Sequence, residues 1–198
     1  MIAAVTAALH PLSAPPAAPG WNHAQVAGFL GGHTPRPAAV LVGIRDGVQP
    51  RVVFTVRNDQ LQVHAGQVAF PGGGSEPADG GSALVTALRE SEEEIGLDRA
   101  QVTALGYLDC LETVSGFCVT PVVARITEHA VLFPAPAEVA EVFEVPLAFF
   151  MDGANLRRYT MNFRGVPRPM LEFVHGGHQI WGATAAMVFN LLQRMGRA

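Results

Sequence analysis

Apolar positions recur along this chain in two rhythms. "AAVLVGI" (38–44) is a short continuous apolar run suited to a buried strand, and "VQPRVVFTVRN" follows it after an Asp46-Gly47 turn, so the two predict a hairpin. "VTALGYLDCL" and "FCVTPVVARI" read as two more strands joined by "ETVSG". "RRYTMNF" and "MLEFVH" alternate, which predicts a terminal hairpin around "RGVPRP". The helical rhythm appears in three places. "WNHAQVAGFLGG" predicts a short helix ending at Gly31–Gly32, with Trp21, Val26, Phe29 and Leu30 on one side. A second helix is expected from Ser82 to Ile95. The last segment, "IWGATAAMVFNLLQRM", sets Trp181, Thr184, Met187, Val188, Leu191, Leu192 and Met195 on one core-facing stripe. "AEVAEVFEVPLAFFM" is expected as a loop or helical turn leading into a strand and a short helix. Between the first hairpin and the Ser82 helix lies "QVHAGQVAFPGGGSEPADGG", too rich in glycine to be helical beyond its start. Hairpins mixed with single crossings point to an α/β sandwich around a mixed sheet, not to regular βαβ alternation.

The length of 198 residues suits one domain with a substantial core. Residues 1–20, Pro- and Ala-rich over 11–20, are expected to form an arm, and 21–198 a single domain. With 49% hydrophobic and 15% charged residues the composition is globular. All thirteen basic residues are Arg, and the net charge of −4 argues against a nucleic-acid partner while leaving a small anionic substrate open. Cys110 and Cys118 are expected as plain thiols, too few for a disulfide scaffold or a zinc site. No apolar run reaches the ~20 residues of a membrane helix, and the apolar N-terminus lacks a basic flank and is broken by prolines. The expectation is a cytoplasmic protein with no membrane partner. The apolar N-terminal region and the final helix are open to two readings, a homodimer interface or internal packing.

The charge is unevenly placed. "LRESEEEIGL" (88–97) holds Glu90, Glu92, Glu93 and Glu94, and like charges at helical spacing repel. On a helix Glu90, Glu93 and Glu94 share one sector, while Leu84, Ala87, Leu88, Ser91 and Ile95 form the sector that packs on the sheet. Arg89 lies one turn before Glu93 and can hold its carboxylate. Clustered carboxylates of this kind suit a hard divalent cation, which takes oxygen ligands and substrate phosphates. A solvated acidic face is the plainer alternative.

The context around the helix decides between them. "PGGG" precedes it, and Gly96 then Leu97 follow it as a natural stop. A glycine loop, a helix carrying R-E-x-x-E-E and a glycine stop resemble the signature of the Nudix hydrolases, matched here by Gly72, Gly73, Arg89, Glu90, Glu93, Glu94, Gly96 and Leu97. The resemblance implies a Nudix-type α/β/α sandwich with a mixed sheet, and hydrolysis of a diphosphate with Mg²⁺ or Mn²⁺. Glu90, Glu94, Glu93 and Gly72 would hold the metal, and Arg89 would position the glutamates. The family pattern places one more glutamate about eight residues before the arginine. That position is Gly81 here, so Glu76 or Asp79 takes its place, or no acid is needed.

The similarity extends to the coenzyme A pyrophosphatase branch of the family. Thr55, Gly66, Phe70, Pro71, Gly72 and Gly73 match that branch, as do "VSGFCVTPVV", "EVAEVFEVPL" and the closing helix. The branch's arginine falls on Gln62 and its Ser or Ala on Asn58, so Arg57 or His64 is the candidate for the lost phosphate contact. The branch implies coenzyme A as substrate, with 3′,5′-ADP and 4′-phosphopantetheine as products. Gly73, Thr113, Ser115, Gly116 and Phe117 would line the substrate site, although "VSGF" is also a plain turn. Glu93 is the first candidate for the general base and Glu138 the second. The alternatives are a broader diphosphatase for ADP-ribose, NADH or nucleotides, and a catalytically silent ligand-sensing module.

Overall fold

The computed structural model describes residues 1–60 and 65–197. The apolar run at 38–44 lies in β1 (Arg36–Arg45), whose side chains alternate between two cores. Ala38, Val42 and Ile44 enter one, and Ala39 and Leu41 enter the other. A strand sealed on both faces reads as a continuous apolar run. β1 then meets β2 (Arg51–Arg57) in the expected hairpin, Ile44 opposite Val52.

The two strands pair only at the hairpin end. The N-terminal half of β1 pairs instead with β4 (Gly72–Gly74), which follows β3 (Val68–Ala69), a short partner of β2. The glycine segment is therefore a strand wedged into the opening between β1 and β2. A Cβ on Gly72 would lie 2.4 Å from the Ala39 carbonyl oxygen, so only glycine fits this close approach. The helix expected from Ser82 is α3 (Ala83–Ile95), after α1 (Ile2–Ala7) and α2 (His23–Leu30). The Ser82 hydroxyl caps it by accepting from the Val85 N–H at 3.3 Å, and Gly96 stops it in the left-handed region.

The mixed sheet is completed by β5 (Val102–Tyr107), β6 (Leu111–Glu112), β7 (Phe117–Ile126) and β8 (Val139–Pro146). β7 runs parallel to β1 from Arg36↔Phe117 to Arg45↔Ile126, and β8 flanks β2. α3 covers one face through Ala87 and Ile95, packed with Leu41, Val53, Val122 and Ala124. Each fully buried side chain of this kind contributes roughly 1.5–3 kcal/mol. The other face is covered by α4 (Leu147–Met151) and α5 (Gly182–Arg194), with Phe54 at the centre of stacked and tilted contacts to Phe70, Phe143 and Phe150. The architecture is the expected α/β/α sandwich. Cys110 and Cys118 are free thiols, and among the described residues no helix is long and apolar enough to cross a membrane.

Two regions differ from the sequence reading. The terminal hairpin, β9 (Arg157–Phe163) and β10 (Val166–His175), turns at Arg164-Gly165, so Val166–Pro169 belong to the strand. Pro167 and Pro169 are tolerated because β10 has only β9 beside it there. Gly176 and Gly177, both at positive φ, then turn the chain into a third strand, β11 (His178–Trp181), which removes Trp181 from the final helix. The N-terminal stretch contains α1, and its Val5 is fully buried in the α5-side core. Met187, Val188, Leu191 and Leu192 of α5 pack in the same core, so both apolar segments face inward.

His10 and Tyr107 exchange main-chain hydrogen bonds of 2.9 and 3.0 Å, docking this stretch on β5. Gly106 makes that possible, because a Cβ there would lie 2.4 Å from the His10 carbonyl oxygen. Gly106→Ala should therefore cost about 1–3 kcal/mol and loosen the N-terminus. Urea midpoints and protease cleavage within the first ten residues check this; an unchanged midpoint with no new cleavage contradicts it.

Candidate active site

Arg89 organises the acidic face of α3. Its Nε and Nη2 donate to both oxygens of Asp79 at 3.0 and 3.1 Å, the paired geometry that suits guanidinium and carboxylate. Nη2 also reaches the Gly74 carbonyl at 3.2 Å. Nη1 lies 3.0 Å from Glu90 and 3.0 Å from Glu93. One side chain thus ties the helix, the β4 glycine strand and the intervening loop together. Asp79 is buried, and it also accepts from the Glu76 N–H at 2.9 Å and the Thr86 hydroxyl at 2.8 Å. These donors, the Arg89 guanidinium first, hold its carboxyl well below the usual range, and the Asp79 carboxylate in turn pushes the guanidinium's pKa up. Of the two acids named as replacements at the outer loop, Asp79 is the one that meets Arg89. Sequence spacing pointed to Gly81, and only the turn at Pro77–Asp79 brings the acid back to the helix.

Beside this clamp lie Glu90 and Glu94. The helical wheel turned their sector away from the core, yet Glu94 is 3% exposed because the β4 strand covers it. Its Oε2 accepts from the Gly72 N–H at 3.1 Å, and Arg57 Nη1 stands 3.7 Å from Oε1. Burial outweighs both and pushes the Glu94 carboxyl up to about 7. Burial also raises Glu90, against the pull of Arg89. Glu90 lies flat on Gly73, whose Cβ would come within 2.5 Å of its carboxylate. The Arg57 Nε is buried without a hydrogen-bond partner among the described residues.

The other expected residues divide. Glu93 is 57% exposed and tied to Arg89. Glu92 points elsewhere, to Arg99 at 2.8 Å. Glu138 is exposed on the loop before β8, near enough for its charge to raise both Glu90 and Glu94. Thr113, Ser115, Gly116 and Phe117 form the tight turn between β6 and β7, closed by Thr113 N–H to Phe117 O at 2.8 Å. The Phe117 ring reaches to 3.9 Å from where a Gly74 Cβ would stand, so the turn adjoins the glycine strand. His64 and Gln62 lie outside the described residues.

Glu94, buried with Arg57 3.7 Å away, Glu90, paired with Arg89 at 3.0 Å, and the backbone oxygens of the glycine strand are an all-oxygen donor set. That chemistry fits a hard divalent cation. Among the described residues no three His, Cys, Asp or Glu side chains form a ready metal cage.

A model of the NUDIX domain matches residues 34–156. Two similar curated relatives are each called uncharacterized Nudix hydrolase NudL. That of Photorhabdus laumondii is 39% identical over 160 residues, 81% of this chain and 85% of its own. That of Pectobacterium atrosepticum is 41% identical over 163 residues, 80% of this chain and 82% of its own. Among solved structures, a MutT/nudix family protein from Enterococcus faecalis matches with a TM-score of 0.52 over 88% of this chain and 72% of its own, at 15% identity, a likeness of fold. Nudix hydrolases generally use divalent metal ions. The family match spans the glycine strand and the whole glutamate helix, and the chain belongs to the Nudix hydrolase family.

Proposed function

We propose that this Nudix hydrolase cleaves the pyrophosphate linkage of coenzyme A and its derivatives with Mg²⁺ or Mn²⁺, releasing 3′,5′-ADP and 4′-phosphopantetheine or its acyl form. The observation that supports this reading is that Thr55 and the Gly72-Gly73 pair, which match the branch, lie on strands joined to each other and to the acidic helix. The Thr55 hydroxyl donates to the Ala69 carbonyl at 3.2 Å, tying β2 to β3. Beyond β3, the Gly72 N–H donates to Glu94 and Gly73 lies against Glu90, which supports a role for this segment at the acidic site.

A bound divalent ion would neutralise phosphate charge and orient water there. The chain's own residues supply the rest. Glu90, Glu94 and the Gly72 carbonyl would hold the ion, with Glu93 at the rim. Arg57, whose guanidinium is partly exposed beside Glu94, would meet a phosphate oxygen. Arg89 acts through the glutamates, holding them in place before substrate arrives. A general base needs an uncommitted carboxylate in reach of the water. Glu93 has an oxygen on Arg89, whereas no ion pair holds Glu138 among the described residues. The contacts therefore favour Glu138 over Glu93, the reverse of the order read from the sequence.

Hydrolysis of coenzyme A should outpace that of ADP-ribose and dATP in millimolar Mg²⁺, and a tenfold preference for either of the latter ends the assignment. Glu138→Gln should lower kcat by about 10²-fold or more, and by more than Glu93→Gln does; the opposite order returns the role to Glu93. Glu94→Gln should cost on the order of 3 kcal/mol of transition-state stabilisation. It should also change stability in metal-free protein. The folded carboxyl sits near 7 against an ordinary 4.5, so the unfolded chain releases the proton first. Stability linked to the neutral group is full below pH 4.5 and is lost as pH rises through about 7. In EDTA at pH 8 the Gln variant should thus melt above the wild type, and added Mg²⁺ should raise the wild type more. Calorimetry showing equal melting with and without the ion would remove Glu94 as a ligand.

A further inference from the structure

A second feature lies beside the turn before β7. A cleft of about 350 Å³ opens between the end of α2, the start of β1 and the turn before β7. Phe29, His33, Arg36, Val114, Ser115 and Gly116 are in its wall, and among the described residues no acidic one is. The volume falls within the range of small-molecule sites. Arg36 is fixed at its mouth by its main chain, which donates to the Gly116 carbonyl at 2.9 Å. Its guanidinium lies over the Phe117 ring, 4.3 Å from the centroid. Arg168 stands similarly over Phe29 at 5.0 Å, and Arg164 over Phe163 at 5.3 Å. Phe29 and Phe163 meet edge to face, 5.5 Å apart.

Three arginines on adjoining aromatic faces, none with a carboxylate partner among the described residues, are unusual in a chain of net charge −4. Guanidinium groups stacked on rings keep their outward N–H groups free, and such groups recognise phosphate. Phe117, which follows the cleft's Gly116 and carries the Arg36 guanidinium on its ring, comes within 3.9 Å of where a Gly74 Cβ would stand, and Arg89 of the acidic site holds the Gly74 carbonyl.

We infer that this cleft binds a second phosphate, a monoester on the nucleoside end of the substrate, and that Arg36 is the specificity-determining residue for it. The inference rests on the reading of the substrate as coenzyme A, whose ADP half carries such a 3′-phosphate. It explains how the site would tell that ligand from ADP-ribose or NADH, which share the diphosphate and lack the monoester.

Calorimetric titration with adenosine 3′,5′-bisphosphate and with AMP, on full-length protein in Mg²⁺, tests it directly. The wild type should bind the bisphosphate at least tenfold more tightly than AMP. Arg36→Gln should reduce that ratio to within twofold, and Ser115→Glu, which adds a carboxylate to the cleft, should lower it as well. A wild type without the preference, or either folded variant that keeps it, overturns the inference. Coenzyme A hydrolysis is scored separately. A bisphosphate preference lost in Arg36→Gln, in an enzyme that leaves coenzyme A intact, keeps the cleft and removes the proposed substrate; hydrolysis of coenzyme A without the preference does the reverse.

Discussion

The Arg89 guanidinium is the point on which the acidic site depends. Four glutamates in one turn and a half would repel one another and weaken the helix that carries them. Arg89 directs its donors to Asp79, Glu90, Glu93 and the Gly74 carbonyl, and so converts a repulsive surface into a fixed one. The double contact to Asp79 sets the plane of the guanidinium, leaving the remaining nitrogen aimed along the helix at the glutamates. Without that anchor, a flexible arginine would neutralise carboxylates without orienting them.

The clamp does not neutralise everything it arranges. Glu94 lies under the glycine strand with one N–H and a distant guanidinium for company, and its carboxyl is pushed toward neutrality. A buried, under-compensated carboxylate costs stability, and proteins retain such groups where a ligand completes them. The wedge of β4 between β1 and β2 creates this burial, and glycine alone permits it at the close approach to Ala39. The burial that makes a lone carboxylate costly there is thus the same one that suits it to a divalent ion.

Much of this was legible in the sequence because the signals are local. The Ser82–Gly96 helix announces itself by its cap, its stop and its apolar sector, and Ile95 and Ala87 fall where that sector requires. The i, i+4 contact of Arg89 with Glu93 follows from helical spacing alone. Asp79 was only one of two options, since its meeting with Arg89 depends on a turn between them. The third strand, β11, was hidden because its four residues are too few to show a rhythm, and two glycines read equally well as a loop.

What the sequence determined by itself was periodicity, capping and residue types at fixed spacing, and from these the family and the metal-suited helix. Those properties are set by neighbours within a few residues. Tertiary structure alone decided that Glu94 is buried while Glu93 is not, that Asp79 faces Arg89, and that Arg36 shares a cleft with Phe29 and Ser115. Each depends on which distant strand lies against the helix or turn, and contacts between segments far apart in the chain leave no trace in local spacing.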